Sequence, residues 1–200
     1  MRTNVIIIDN FYSNPDCIRK YALEQNYTIS EDLERVEVGR NIRRIPGKRS
    51  EQYLPDILKQ TISEILYPFA GKVLKWSKSC GTFNICNAYD QSRIHADMDN
   101  NNGEKKVWAG VCFLTPDAPL ESGTGIFRNK YTKDRYCLGY LPSMEIQHDF
   151  SQWEIVDRIG NIYNRMVLYR ADNYHSSLGY FGNTDDNSRL FQVFFMTTEK

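Results

Sequence analysis

Trp108-Ala109-Gly110-Val111-Cys112-Phe113-Leu114, followed by Ser122-Gly123-Thr124-Gly125-Ile126-Phe127, are the runs on which the reading of the fold turns. Each is short, apolar and bounded by turn residues, the mark of a strand rather than of a helix. Working outward, the same pattern recurs at 82–89, 93–98, 106–114, 123–128, 153–159, 164–170, 174–178 and 188–197. Eight short strands in series predict an antiparallel sandwich or jelly roll. A parallel α/β sheet would need helices alternating with these strands, and the sequence offers none there.

Upstream the character differs. Val5-Ile6-Ile7-Ile8 reads as a strand covered on both faces, and Ser13 or Asn14 as the cap of a helix with Pro15 in its first turn and its end near Gln25. Leu54, Ile57, Leu58, Ile62, Ile65 and Leu66 recur at helical spacing, so a second helix is expected over 53–66, ended by Pro68 and Gly71. Between the helices, 30–50 is polar and basic, with Arg35, Arg40, Arg43, Arg44, Lys48 and Arg49 against Glu37. It is either a solvated connector or a flap that meets an anionic substrate. Residues 129–152 hold Tyr131, Arg135, Tyr136, Tyr140, Met144, His148 and Phe150 without alternation, and either cover one end of the sandwich or serve the site. The expected architecture is mainly β with flanking helices. One domain spans 1–200, with an N-terminal strand and helical layer at 1–72 packed on a β-core at 73–200 that carries the 129–152 insert.

Composition narrows the function classes. The chain has 200 residues, of which 41% are hydrophobic and 25% charged, which is globular rather than disordered. Its formal net charge is zero, so no global field draws it to nucleic acid or to an anionic membrane. No apolar run approaches a membrane span, and the opening apolar stretch lacks a small-residue cleavage site. Five cysteines, without a close CxxC pair, argue for reduced thiols in a cytoplasmic compartment.

The chemistry centres on Ile94-His95-Ala96-Asp97. On a strand, His95 and Asp97 point the same way. A second histidine from another strand, His175, would complete two imidazoles and one carboxylate on one side of a metal, a set suited to non-haem Fe(II). Asp99 shares the face of Asp97 and is an understudy, whereas His148 reads as an ordinary structural histidine. Arg189 lies in the apolar run Ser188-Arg189-Leu190-Phe191-Gln192-Val193-Phe194-Phe195 and needs an anionic partner, either an acid of the protein or a bound dicarboxylate.

With these residues in view, the chain resembles the 2-oxoglutarate/Fe(II)-dependent dioxygenases, in particular their prolyl-hydroxylase-like branch. The resemblance runs through Val5–Phe11 with Pro15, the two runs quoted first, Asn164–Tyr169 leading to His175, and Arg189. It implies a double-stranded β-helix core in which His95, Asp97 and His175 bind Fe(II) and Arg189 binds the distal carboxylate of 2-oxoglutarate. It implies hydroxylation of a C–H bond by O2, with succinate and carbon dioxide as coproducts; the substrate, a small molecule or a peptide, stays open, as does the oligomeric state. There are departures. His175 and Arg189 stand fourteen positions apart, so 179–187 is expected to loop out. Phe191 stands where several relatives have a serine, and Cys112 where prolyl hydroxylases often have a cosubstrate-binding tyrosine. Tyr89 is the substitute hydroxyl that the sequence offers. Two other readings are a cupin-like metalloenzyme that does not use 2-oxoglutarate and a non-catalytic jelly-roll binding module.

Overall fold

A computed structural model of the chain describes residues 2–29, 46–97, 107–139 and 141–200. Most of the basic stretch (Arg35, Glu37, Arg40, Arg43, Arg44), Asp99 and Tyr140 therefore lie outside the described residues. The strands are β1 (Val5–Ile8), β2 (Tyr27–Ile29), β3 (Lys48–Gln52), β4 (Val73–Trp76), β5 (Thr82–Cys86), β6 (Trp108–Phe113), β7 (Thr124–Asn129), β8 (Trp153–Ile159), β9 (Met166–Arg170), β10 (Tyr174–Ser177) and β11 (Arg189–Thr198). The helices are α1 (Pro15–Leu23), α2 (Asp56–Ala70) and the short α3 (Met144–His148). A large antiparallel sheet runs β1-β9-β6-β11-β5-β3-β2, with β4 continuing beside the end of β11, and faces a small sheet, β10-β7-β8. This is the jelly roll that the serial strands predicted.

The outer face of the large sheet is closed by helices. In α2, Leu58, Ile62, Leu66 and Ala70 recur every fourth residue and lie buried with Phe83, Ile85, Trp108, Leu168, Leu190 and Phe194. Each fully buried Leu, Ile or Phe contributes roughly 1.5–3 kcal/mol to this seam. Asn14 caps α1 by accepting from the Cys17 N–H at 3.2 Å. The helix over 53–66 proves to start later and run further: Pro68 sits in the last turn of α2, and Gly71 ends it at φ +71°. One polar side chain is built into this seam. Gln192 is fully buried, donates to the carbonyls of Tyr53 and Gly81 at 3.0 Å each, and accepts from the Tyr12 hydroxyl. No amide atom is left unpaired there.

Three expectations change. Val5–Ile8 is not covered on both faces: among the described residues β1 is an edge strand paired only with β9, and Ile7 is 48% exposed. Residues 48–50, the end of the 30–50 stretch read as a connector or a substrate flap, belong instead to β3, which takes its order from the main chain of β5 on one side and β2 on the other. And 93–97 is no regular strand. Ile94 N–H bonds Gln147 O, His95 exchanges both backbone bonds with His175, and Asp97 N–H bonds Ala171 O, so three partners share five residues and no ladder forms. No helix among the described residues is long and apolar enough to cross a membrane.

Candidate active site

The site lies where the two sheets face one another. In the small sheet His175 pairs with Ile126, whose side chain is buried with Val111, Phe113 and Val193 of the large sheet's inner face. His95 pairs with His175 in an isolated bridge, so their side chains share that inward face. Ile94 and Ala96 alternate outward into a second apolar cluster with Phe127, Cys137, Trp153 and Tyr174. Asp97 then turns back inward. The result gathers ligand atoms of His95, Asp97 and His175 within 4.8 Å of one another.

The orientation of each imidazole is fixed by the backbone. His95 Nδ1 lies 3.0 Å from Arg93 O, and His175 Nδ1 lies 3.0 Å from Asn173 O. A carbonyl only accepts, so Nδ1 is the donor in both rings and Nε2 keeps its lone pair. Those Nε2 atoms stand 3.6 Å and 3.2 Å from the two carboxylate oxygens of Asp97. Burial, with the adjacent His175 ring, holds His95 well below the ordinary imidazole range, so it is neutral at pH 7. Two imidazoles and a carboxylate, with the outer ring nitrogens tied to carbonyls, are the donor set and support that a divalent transition metal requires.

Arg189 is 1% exposed. Its Nε donates to Ser122 O at 3.1 Å, Nη1 to Ser177 Oγ at 2.8 Å and Nη2 to Gly123 O at 3.4 Å. No carboxylate among the described residues pairs with it. Instead its guanidinium lies 4.5 Å from the centre of the Phe191 ring and 5.6 Å from that of Tyr180. Burial lowers its pKa from the ordinary arginine value, yet arginine stays charged in proteins. A buried cation satisfied only by neutral groups is costly unless an anion joins it. The position matters too: Ser177 lies two residues beyond His175 on β10, on the same face and about 6.6 Å along the strand.

The sequence placed four of these residues, and the structure brings them together. It does not bring in Tyr89, which is 84% exposed on a turn. The phenols that face the site are Tyr169, whose hydroxyl is 3.5 Å from Asp97 Oδ2 and whose ring lies 4.5 Å from that of His175, and Tyr180 beside Arg189. Cys112, read as replacing a tyrosine, belongs to the helix-side cluster and never faces the site. Its neighbours Val111 and Phe113 do. Phe191, noted where several relatives have a serine, lies against Arg189, and the hydroxyl that meets the guanidinium is that of Ser177 from across the gap. The insert buttresses the ligand segment from outside: Cys137 and Leu141 pack with Ile94 and Ala96, and Gln147 receives a hydrogen bond from Arg93. Its His148 is bonded within α3, Nδ1 lying 2.9 Å from Met144 O. The fourteen-residue interval to Arg189 closes as a turn in which Asn187 Oδ1 accepts from the backbone of Asn183 and Thr184.

Gly123 lets the chain entering β7 pass close to the end of β8, its neighbour in the small sheet. A Cβ there would stand 1.8 Å from Ile159 O, far inside any allowed contact, while Gly123 O itself accepts from Arg189. Gly123→Ala should therefore destabilise the fold by about 1–3 kcal/mol or more. Urea unfolding reads this as a lower midpoint, and an unchanged midpoint would mean that β7 and β8 do not approach this closely here.

The sequence matches no protein-family model and no curated protein. Solved structures do resemble it. A prolyl hydroxylase from Trichoplax adhaerens, in complex with a hypoxia inducible factor oxygen degradation domain peptide fragment, is 13% identical with TM-score 0.57, over 98% of this chain and 84% of that one. HygX from Streptomyces hygroscopicus, with nickel, 2-oxoglutarate and hygromycin B bound, is 8% identical with TM-score 0.61 over the same shares, 98% and 84%. A Pseudomonas putida prolyl-4-hydroxylase is 14% identical with TM-score 0.51, over 98% and 94%. At these identities the likeness establishes a shared fold.

Proposed function

We propose that this protein is a non-haem Fe(II)- and 2-oxoglutarate-dependent oxygenase that hydroxylates a C–H bond of its substrate, with the whole of 1–200 as its catalytic domain. The observation that carries the reading is the meeting of His95, Asp97 and His175 with a buried Arg189 of β11, which has no acid partner among the described residues and donates to Ser177, two residues after His175 on β10. Three ligands on one side suit iron, since they leave the opposite positions for cosubstrate and O2. When bound, iron and 2-oxoglutarate supply the oxidising chemistry, with succinate and carbon dioxide released.

The chain's own part is positioning. His95, Asp97 and His175 would hold the metal through Nε2, carboxylate and Nε2. Tyr169, whose burial and nearness to Asp97 push its pKa well above the ordinary phenol range, stays a neutral donor and orients the carboxylate. Arg189 would grip the far carboxylate of 2-oxoglutarate with Ser177 beside it. Val111, Phe113, Ile126 and Val193 keep the interior apolar and exclude water. The buried thiols Cys80, Cys86, Cys112 and Cys137 fit a reducing, cytoplasmic setting.

Anaerobic addition of Fe(II) and 2-oxoglutarate should give a weak visible charge-transfer band, and admission of O2 should release succinate. Protein that gives neither the band nor succinate would sink this reading.

A further inference from the structure

The proposed chemistry leaves one inward-facing cation unused. Arg49 of β3 pairs in register with Asn84 of β5, and Arg189 pairs with Cys86 two residues further along the same strand. All four side chains therefore share the inner face of the large sheet. The Arg49 Nε is sealed from water without a hydrogen-bond partner, and no ion pair among the described residues includes its guanidinium. Asp97, Cys86 and Tyr180 bear on it electrostatically, and Cys86 and Tyr180 bear on Arg189 as well, so the two guanidiniums share neighbours on that face.

None of these neighbours completes it. Burial pushes the Cys86 thiol up to about 12 and the Tyr180 phenol above its ordinary range, so both are neutral. Asp97 belongs to the ligand set and forms no ion pair with Arg49. Asp90, whose charge reaches Cys86 and Tyr180, accepts from the N–H groups of Gly47 and Asn87, and among the described residues it forms no ion pair with Arg49. A natural chain keeps such a charge for a ligand, because an unpaired one costs stability.

Resting on the oxygenase reading, we propose that Arg49 recognises an oxyanion of the primary substrate, a carboxylate or a phosphate, and holds it beside the metal. The planar fork of arginine matches either group bidentately. The location agrees with the sequence, for Arg49 closes the basic stretch of 35–49.

The test uses the full chain loaded with Ni(II), which does not turn over, and with 2-oxoglutarate. Acetate and inorganic phosphate are titrated separately at constant ionic strength, and Tm is followed. At least one anion should raise the Tm of the wild type saturably, and the stronger of the two names the class. In Arg49→Gln that response should weaken by about 10-fold or more, the loss of one charge-assisted bond. The variant should keep its 2-oxoglutarate affinity, and without anion its Tm should equal the wild type's or exceed it by about 2–4 °C, since an unpaired charge has gone. Arg49→Lys should respond in between. Equal responses in wild type and Arg49→Gln, or none in the wild type, would overturn the assignment. A lower Tm in both variants would make Arg49 structural, and weakened 2-oxoglutarate binding would move it to the cosubstrate. If wild-type protein takes up neither Ni(II) nor 2-oxoglutarate, the oxygenase reading fails first and this assignment with it.

Discussion

Asp97→Asn and His175→Ala should each bind iron more than about 100-fold more weakly than the wild type and form succinate at background rate. The magnitude has a floor. Removing a group that merely orients a ligand costs about 10–100-fold in metal affinity or activity, and removing one of three protein ligands costs more. Asp97→Asn is the sharper test, since it keeps the side-chain volume and the bond from Asp97 N–H to Ala171 O. His175→Ala likewise leaves the paired backbone bonds to His95 in place. Both proteins should therefore fold, and circular dichroism should match the wild type. Metal content after dialysis against Fe(II) under anaerobic conditions is the measurement. Stoichiometric iron in either variant would remove that residue from the ligand set.

The gathering of His95 and Asp97 on one face was legible in the sequence because it depends on period-2 alternation, which survives even where 93–97 makes a single bridge among the described residues. Most of the core strands were legible for a simpler reason: apolar residues in short runs between turn formers have few other ways to be buried. β3 was not, because Lys48-Arg49-Ser50-Glu51-Gln52 is polar throughout, and its place depends on main-chain bonds to β5 and β2 that carry no side-chain signature. Tyr169 was missed for another reason. β6 and β9 are buried on both faces, one toward the helices and one toward the site, so alternation cannot say which residues face inward. The same ambiguity made Cys112 look like a site position when Val111 and Phe113 held that face. Tyr89 was attractive only by nearness to His95 in the chain, and a turn carried it into solvent. Ser177 was readable in principle: it stands two residues after His175, and any strand starting at the ligand would place it on the same face.

Arg189→Met should weaken 2-oxoglutarate binding by roughly 100-fold or more while leaving iron in place. Charge-assisted hydrogen bonds are worth about 1.5–3 kcal/mol each, and a bidentate grip on a carboxylate loses two. The readout is twofold. At 100 times its Kd, 2-oxoglutarate stabilises a protein it binds by about 2.7 kcal/mol, a Tm rise of about 5–11 °C for a chain of this size. That rise should vanish in Arg189→Met. The unliganded variant should unfold near the wild-type temperature, because two opposed effects meet at this position. A buried, acid-free cation is removed, which favours the fold, while Ser122 O, Gly123 O and Ser177 Oγ lose their donor, which disfavours it. Arg189→Lys retains the charge without the fork and should restore part of the affinity. The same variants separate the rival chemistry. In a metalloenzyme of this fold that does not use 2-oxoglutarate, Arg189 is only structural. Its replacement would then leave metal-dependent activity intact, and the wild type would show no Tm response to 2-oxoglutarate. The sign of that one titration decides whether the buried guanidinium was kept for an anion or merely tolerated.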